Sequence, residues 1–321
     1  MRHWRNRHLG GLLTPRGGRS LSWLPIQALG VLVALGVAAT QAAAGVSATG
    51  HWIVFSAHPN GTGSAQLFRI QTTGEGIQQI TKGRLAATAP DAVCLQETKI
   101  ADAAFPTEDV EALGYQVASH GDGRWNGVAL LSKVGLDDVA RGLTGEPGYP
   151  EPEARAVGAT CAGVRLWSVY VPNGREPGHD HYVYKLAWLT ALGTTVKADL
   201  TTYEQLVVMG DFNVAPTDDD VWDPAAFVGS THVTEPERAA LTALRATGLT
   251  DVVPRPLKYD RPFTYWDYRA GNFHKNLGMR IDLVYATPPV ATAVTDAYVD
   301  RDARKGKGPS DHAPVVVDLN L

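Results

Sequence analysis

The chain has 321 residues, enough for two domains or for one large domain with an appendage, and its 44% hydrophobic content is that of an ordinary globular protein. A formal net charge of −4 excludes a general attraction to polyanions, so any grip on a phosphate backbone must come from local Lys/Arg clusters or from a bound metal. The two cysteines, Cys94 and Cys161, lie in apolar strand-like runs and read as reduced core residues; nothing resembles a zinc site.

Residues 1–20 carry five arginines and no acid, and from Leu21 to Gly50 there is no Lys, Arg, Asp or Glu. The apolar stretch Ala28 to Ala39 followed by Ala42-Ala43-Ala44 has the order of a secretory signal or an uncut signal anchor. Residues 1–50 are therefore expected to export or anchor the chain; if this leader is not translated in the cell, a cytoplasmic protein is expected. Residues 51–86 read differently. His51 to Ala57, Asn60-Gly61, Ser64 to Ile70, Gly74-Glu-Gly and Ile77 to Thr81 suggest short strands joined by tight turns, resembling a fragment of one β-propeller blade. One such fragment cannot bury a propeller core, because blades need stacked neighbours.

From residue 87 to the end the texture is uniform. Apolar, β-branched runs predict strands over Ala92–Gln96, Val128–Lys133, Ala156–Thr160, Arg165–Val171, Gln205–Met209, Ile281–Ala286 and Ala313–Leu319. Three- and four-residue apolar spacing predicts a helix over Tyr182–Leu200. A second helix, Glu235–Thr247, is marked by a Thr234/Glu237 capping box, Pro236 in the first turn and Gly248 at the end. Many strands with few helices suggest two sheets packed face to face with helices outside.

Acid, amide, imidazole and phenol groups recur at the ends of these runs. In Val207-Val-Met-Gly-Asp-Phe-Asn, Gly210 lets the backbone turn, and Asp211 and Asn213 can point the same way, a carboxylate to take a proton and an amide to hold it. Ser310-Asp311-His312 precedes the last strand, where a carboxylate and an imidazole can hold metal or donate to a phosphoryl oxygen. Asp282, at the start of another strand, is the natural partner to fix the imidazole tautomer, and Glu97 directly follows Ala92–Gln96. Such a set suits a divalent cation that activates water against a phosphodiester. Arg301, Arg304, Lys305 and Lys307 form a basic cluster that reads equally as a solvated loop or as a DNA contact.

Taken in order, Leu95-Gln-Glu-Thr-Lys, Val169-Tyr-Val-Pro-Asn-Gly, Gly210-Asp-Phe-Asn, Phe263-Thr-Tyr-Trp-Asp-Tyr, Arg280-Ile-Asp-Leu and Ser310-Asp-His resemble exonuclease III, the bacterial apurinic/apyrimidinic endonuclease branch of the endonuclease–exonuclease–phosphatase superfamily. The resemblance runs from about Pro90 to Leu321. It implies a four-layer α/β/β/α sandwich and a Mg²⁺- or Mn²⁺-dependent enzyme acting on double-stranded DNA with abasic sites or blocked 3′ ends. A monomer without a protein partner is expected. By the same resemblance Glu97 binds the metal, with Asp311 near a second or shifted position and Asp211, Asn213 and His312 also within metal reach. Asp211 deprotonates the attacking water with Asn213 in support, His312 steadies phosphate oxygens and is oriented by Asp282, and Tyr170 contacts the phosphate. Tyr265, Trp266 and Met279 would wall a slot for a flipped abasic sugar, and Arg175 would meet the DNA backbone.

One family motif is missing. The resemblance implies an opening strand ending in Trp-Asn-Val-Asn, whose first Asn completes the metal and phosphate site. No such tetrapeptide occurs here, and the family spacing back from Glu97 falls on Ile70. Asn60 could stand in only through an inserted loop. The sequence thus predicts an exchanged amino terminus, an unfilled strand position unless the blade-like segment occupies it, and impaired activity. Two alternatives remain open, an exported metal-dependent phosphodiesterase and a homologue that binds DNA without cutting it.

Overall fold

A computed structural model describes residues 49–56, 90–305 and 310–321, the first of these as backbone. The leader up to Ala48, the remainder of the blade-like segment with Asn60, and Lys307 lie outside the described residues. Among the described residues there are thirteen strands: β1 Thr49–Ser56, β2 Ala92–Gln96, β3 Gln116–His120, β4 Val128–Ser132, β5 Asp137–Arg141, β6 Ala156–Cys161, β7 Val164–Tyr170, β8 Leu206–Asp211, β9 Thr250–Asp251, β10 Arg255–Pro256, β11 Asp282–Ala286, β12 Val294–Val299 and β13 Val315–Asn320. They form a seven-stranded sheet in the order β10-β12-β13-β1-β2-β4-β3 and a six-stranded sheet in the order β5-β6-β7-β8-β11-β9.

The start of the blade-like segment fills the strand position left by the missing motif. β1 pairs in parallel with β2, from Trp52 opposite Ala92 to Ser56 opposite Gln96, and antiparallel with β13, from Thr49 opposite Asn320 to Val54 opposite Val315. A segment without the family motif therefore supplies the backbone donors and acceptors that the two neighbouring strands require.

The two sheets pack face to face around a core that includes Cys94, Leu130, Leu166, Met209, Val284 and Val317. Both cysteines are free and buried there. The outer face of the six-stranded sheet, with Trp167, Val208 and Tyr285, is covered by Trp188 and Leu192 of helix Asp180–Asp199 and by Leu241 and Leu244 of helix Glu235–Arg245. On the opposite outside, Phe105 and Val110, at and beside the short helix Thr107–Glu111, cover Val93, Leu95 and Leu131. This is the expected α/β/β/α layering. Among the described residues no helix is long and apolar enough to cross a membrane.

Candidate active site

Register builds the site. Tyr170 is the last residue of β7, Asp211 the last of β8 and Asp282 the first of β11, and these three are direct neighbours in the ladder. Gly210 makes the approach possible: at φ +146° its backbone lies so close to β7 that a Cβ would meet the Val169 carbonyl oxygen at 2.0 Å. Glu97 arrives from the other sheet immediately after β2, at φ +53°. His312 is carried by the segment leading into β13, bridged to Tyr265, with the two rings 4.9 Å apart.

Glu97, Tyr170, Asn173, Asp211, Asn213, Tyr265, Asp311 and His312 line one cleft of about 220 Å³. The Tyr170 hydroxyl donates a short hydrogen bond to Glu97 Oε1, and Lys99 Nζ lies 3.3 Å from Glu97 Oε2. Asp211 accepts from Asn213 twice, from the backbone N at 2.8 Å and from Nδ2 at 3.0 Å. Asn213 Oδ1 in turn accepts from Asn173 Nδ2 at 3.1 Å. His312 Nδ1 donates to Asp282 Oδ2 at 2.8 Å.

Burial sets the charges. It pushes the Asp211 carboxyl up to about 7, with the His312 imidazolium opposing and the Asp282 carboxylate adding to the rise. Burial alone would lower His312, but Asp282, bonded to it and backed by Asp211 and Asp311, raises it to about 10. Burial and the Glu97 carboxylate raise the Tyr170 phenol well above its usual range, so the phenol keeps its proton. One carboxylate near neutrality, one imidazolium and one phenol donor thus face a single cavity.

Asp211, Asp282 and His312 each offer a ligand atom within 4.8 Å of the others. Asp282 Oδ1 is buried without a hydrogen-bonding partner among the described residues, a state whose cost a cation would relieve. These carboxylates, with Glu97 and Asp311 on the same cleft, suit a hard divalent ion.

A second cavity of about 320 Å³ adjoins the first, lined by Trp222, Phe227, Tyr265, Leu277 and Met279 among others. Tyr265 and Met279 stand where a sugar slot was expected, but Trp266 lines neither cavity. It is 1% exposed, packs with Phe263, Val299 and Ala313, and gives its indole N–H to Asn276 Oδ1 at 3.2 Å. Adjacent residues of an extended segment point to opposite sides, so Tyr265 in the cleft sends Trp266 into the core. Arg175 is exposed at φ +59°, its guanidinium 3.2 Å from His179 Nε2.

The basic cluster is neither a solvated loop nor an open DNA contact at two of its positions. Arg301 and Arg304 are 8% and 5% exposed. Arg301 lies over the Phe273 ring, and Arg304 Nη1 donates to the carbonyls of Trp266 at 2.8 Å and Asp311 at 2.7 Å. Lys305 pairs with Asp302.

Several contributions to the site escaped the sequence. Asn173 lines the cleft, although only its neighbours Tyr170 and Arg175 were singled out. Lys185 and Glu237 form a buried pair behind Asn213. His232 lines both cavities, donates from Nδ1 to the Asn213 carbonyl at 2.6 Å, and is lowered to about 4 by burial and by the Lys185 ammonium. Lys185 had a visible signal: it falls on the apolar stripe of its helix with Tyr182, Leu189 and Leu192.

Comparison with known proteins converges on the same reading. Residues 78–312 match the endonuclease/exonuclease/phosphatase family. The chain is 30% identical to exodeoxyribonuclease III of Haemophilus influenzae over 70% of this chain and 88% of that one. It is also 30% identical to the DNA repair nuclease APEX1 of Danio rerio, over 72% and 73%. Among solved structures, the 3′ phosphatase NExo from Neisseria, bound to product DNA hairpin, superposes with a TM-score of 0.76 at 31% identity, covering 85% of this chain and all of that one. An AP endonuclease from Archaeoglobus fulgidus gives 0.73 at 31% identity, covering 84% and 99%. The family match, the sequence identities and the shared fold place this chain in the endonuclease/exonuclease/phosphatase family, in its exonuclease III and AP endonuclease branch.

Proposed function

We propose that the chain is a Mg²⁺- or Mn²⁺-dependent DNA phosphodiesterase of base excision repair, a monomer that trims 3′ ends and nicks 5′ to abasic sites. The observation that carries this reading is the Tyr170–Asp211–Asp282 row with His312 bonded to its end. Asp211, poised near neutrality, takes a proton from the attacking water while Asn213 fixes both carboxylate oxygens. The water oxygen forms the new bond to phosphorus, and the bond from phosphorus to the 3′ oxygen breaks in line, leaving a 3′-hydroxyl and a 5′-phosphate. His312, held cationic by Asp282, donates to a phosphoryl oxygen as charge builds there, and the protonated Tyr170 phenol is placed to donate to the phosphate or the leaving oxygen. Glu97 and Asp311, with Asp211 and Asn213 in reach, would hold the cation, which when bound neutralises phosphoryl charge.

Among the described residues the site holds no counterpart of the Asn that the family places at the end of the first strand. β1 ends at Ser56 opposite Gln96, and the reading includes a reduced rate relative to a complete site. Incubating the purified chain with abasic duplex and with 3′-phosphate duplex, each with Mg²⁺ or chelator, tests it: metal-dependent cutting supports the reading. Binding without cutting supports the non-catalytic alternative, and activity on other phosphodiesters alone supports an exported enzyme.

His232 favours a second reading, in which 3′-end processing outweighs abasic nicking. Its ring is part of the wall shared by the catalytic cleft and the slot of Tyr265 and Met279, so it narrows the space a flipped sugar must cross. His232→Gly should then raise the ratio of abasic nicking to 3′ trimming, and an unchanged ratio would remove this reading.

A further inference from the structure

The acid of a capping box ordinarily sits at the surface, yet Glu237 is wholly buried, and so is Lys185 opposite it. Glu237 performs two tasks. Its Oε2 accepts from the Thr234 backbone N at 3.0 Å and hydroxyl at 2.7 Å, which caps the helix. Its Oε1 accepts from Lys185 Nζ at 2.5 Å, Thr231 Oγ1 at 2.6 Å and the His232 backbone N at 3.0 Å. Lys185 directs its remaining donors at two backbone carbonyls, Asn213 at 2.7 Å and Asn173 at 3.1 Å. Both asparagines place their side chains in the catalytic cleft.

The geometry points to Lys185 and Glu237 as positioning residues that act on Asp211 through Asn213, an inference that rests on the catalytic reading of Asp211. Asn213 is held at φ +50°, in the left-handed region that asparagine enters more readily than most non-glycine residues. Two donors converge on its carbonyl, Lys185 Nζ and His232 Nδ1. With the carbonyl fixed, the Asn213 backbone N and Nδ2 face the two oxygens of Asp211. The route thus runs from the helix cap to the general base with no contact between the ion pair and substrate.

Packing leaves Lys185 little freedom. At Gly174, φ +92°, a Cβ would meet Lys185 Cδ at 2.9 Å and Thr231 Oγ1 at 2.8 Å. Stability alone does not call for an ion pair here, since an apolar pair of similar volume commonly stabilises a core as well or better. What an apolar pair cannot supply is a donor to each asparagine carbonyl.

The test is the double variant Lys185→Met with Glu237→Gln, which leaves no unpaired buried charge; Lys185→Met alone strands the Glu237 carboxylate and serves only as a folding control. With Mg²⁺ and 3′-phosphate duplex, kcat should fall about a hundredfold while KM stays within about threefold, as for a misplaced reactive group. The ¹⁵N-resolved side-chain amide signals of Asn213 should shift or broaden in the same variant. A folded double variant with wild-type kcat and an unmoved Asn213 amide would overturn the inference. Should the wild-type chain itself leave DNA intact, the catalytic reading fails, and the amide signal still decides whether the pair positions Asn213.

Discussion

Asp282→Asn removes the charge that keeps His312 cationic while preserving shape. In the wild type the imidazole is raised from its ordinary 6.5 to about 10, against the pull of burial, by a carboxylate oxygen at 2.8 Å. Such a rise is a stability contribution on the order of 4–5 kcal/mol, complete below pH 6.5 and lost as pH climbs through 10. Asp211, raised to about 7, gives a decline of the same sign at lower pH, between 3.8 and 7, so the window above 7 belongs to His312. Urea melts of both proteins in chelator, from pH 7 to 10, should therefore show a stability gap that closes as pH rises. In Mg²⁺ at pH 7.5 the variant should lose about 10²–10³ in single-turnover rate, the worth of one charged donor at a phosphoryl oxygen. A gap that stays flat with pH, or a variant within fivefold of wild type, would show that the imidazole does not act as a cation.

Glu97→Gln keeps an acceptor for the Tyr170 hydroxyl but removes the carboxylate charge; the Mg²⁺ or Mn²⁺ concentration needed for half-maximal rate should rise by about tenfold or more, read by metal titration. Arg280→Met strands Asp220 and Asp251, whose carboxylates the buried guanidinium joins at 2.6–3.3 Å, and should cost about 3–5 kcal/mol in denaturant melts. Trp266→Ala should cost about 3–5 kcal/mol of stability with little change in KM, whereas Tyr265→Ala should change KM for abasic duplex with a smaller stability loss.

Much of the molecule is legible because its strands are buried on both faces or end on chemistry. β2, β4, β7, β8 and β11 are runs of apolar residues, and each was expected to within a residue or two at either end. The edge strands β3 and β5 escaped because their faces are half exposed and their residues mixed, so neither period stands out. Tyr170, Asp211 and Asp282 could be placed together because strand ends share a sheet edge. His232 could not, since it sits at φ +81° in a loop whose path depends on Glu237. Arg301 and Arg304 misled for a different reason: charge in a loop looks solvated, and only tertiary packing reveals aromatic rings beneath it. The segment read as a blade strand shows the limit of local pattern, because strand propensity does not name the partner.

β1 also bears on how this polypeptide reaches its native state. Its two ladders tie the beginning of the described chain to Ala92–Gln96 and to Val315–Asn320, so the larger sheet closes only after the carboxy-terminal strand has been synthesised. Until then β1 carries an open flank on the side away from β2. A shortened version starting after Ser56 would keep every side chain of the cleft named above, yet leave β2 and β13 with facing, unsatisfied edges. Deletion of this region is thus a change to the scaffold, and loss of activity in such a truncation would speak about folding before it spoke about chemistry.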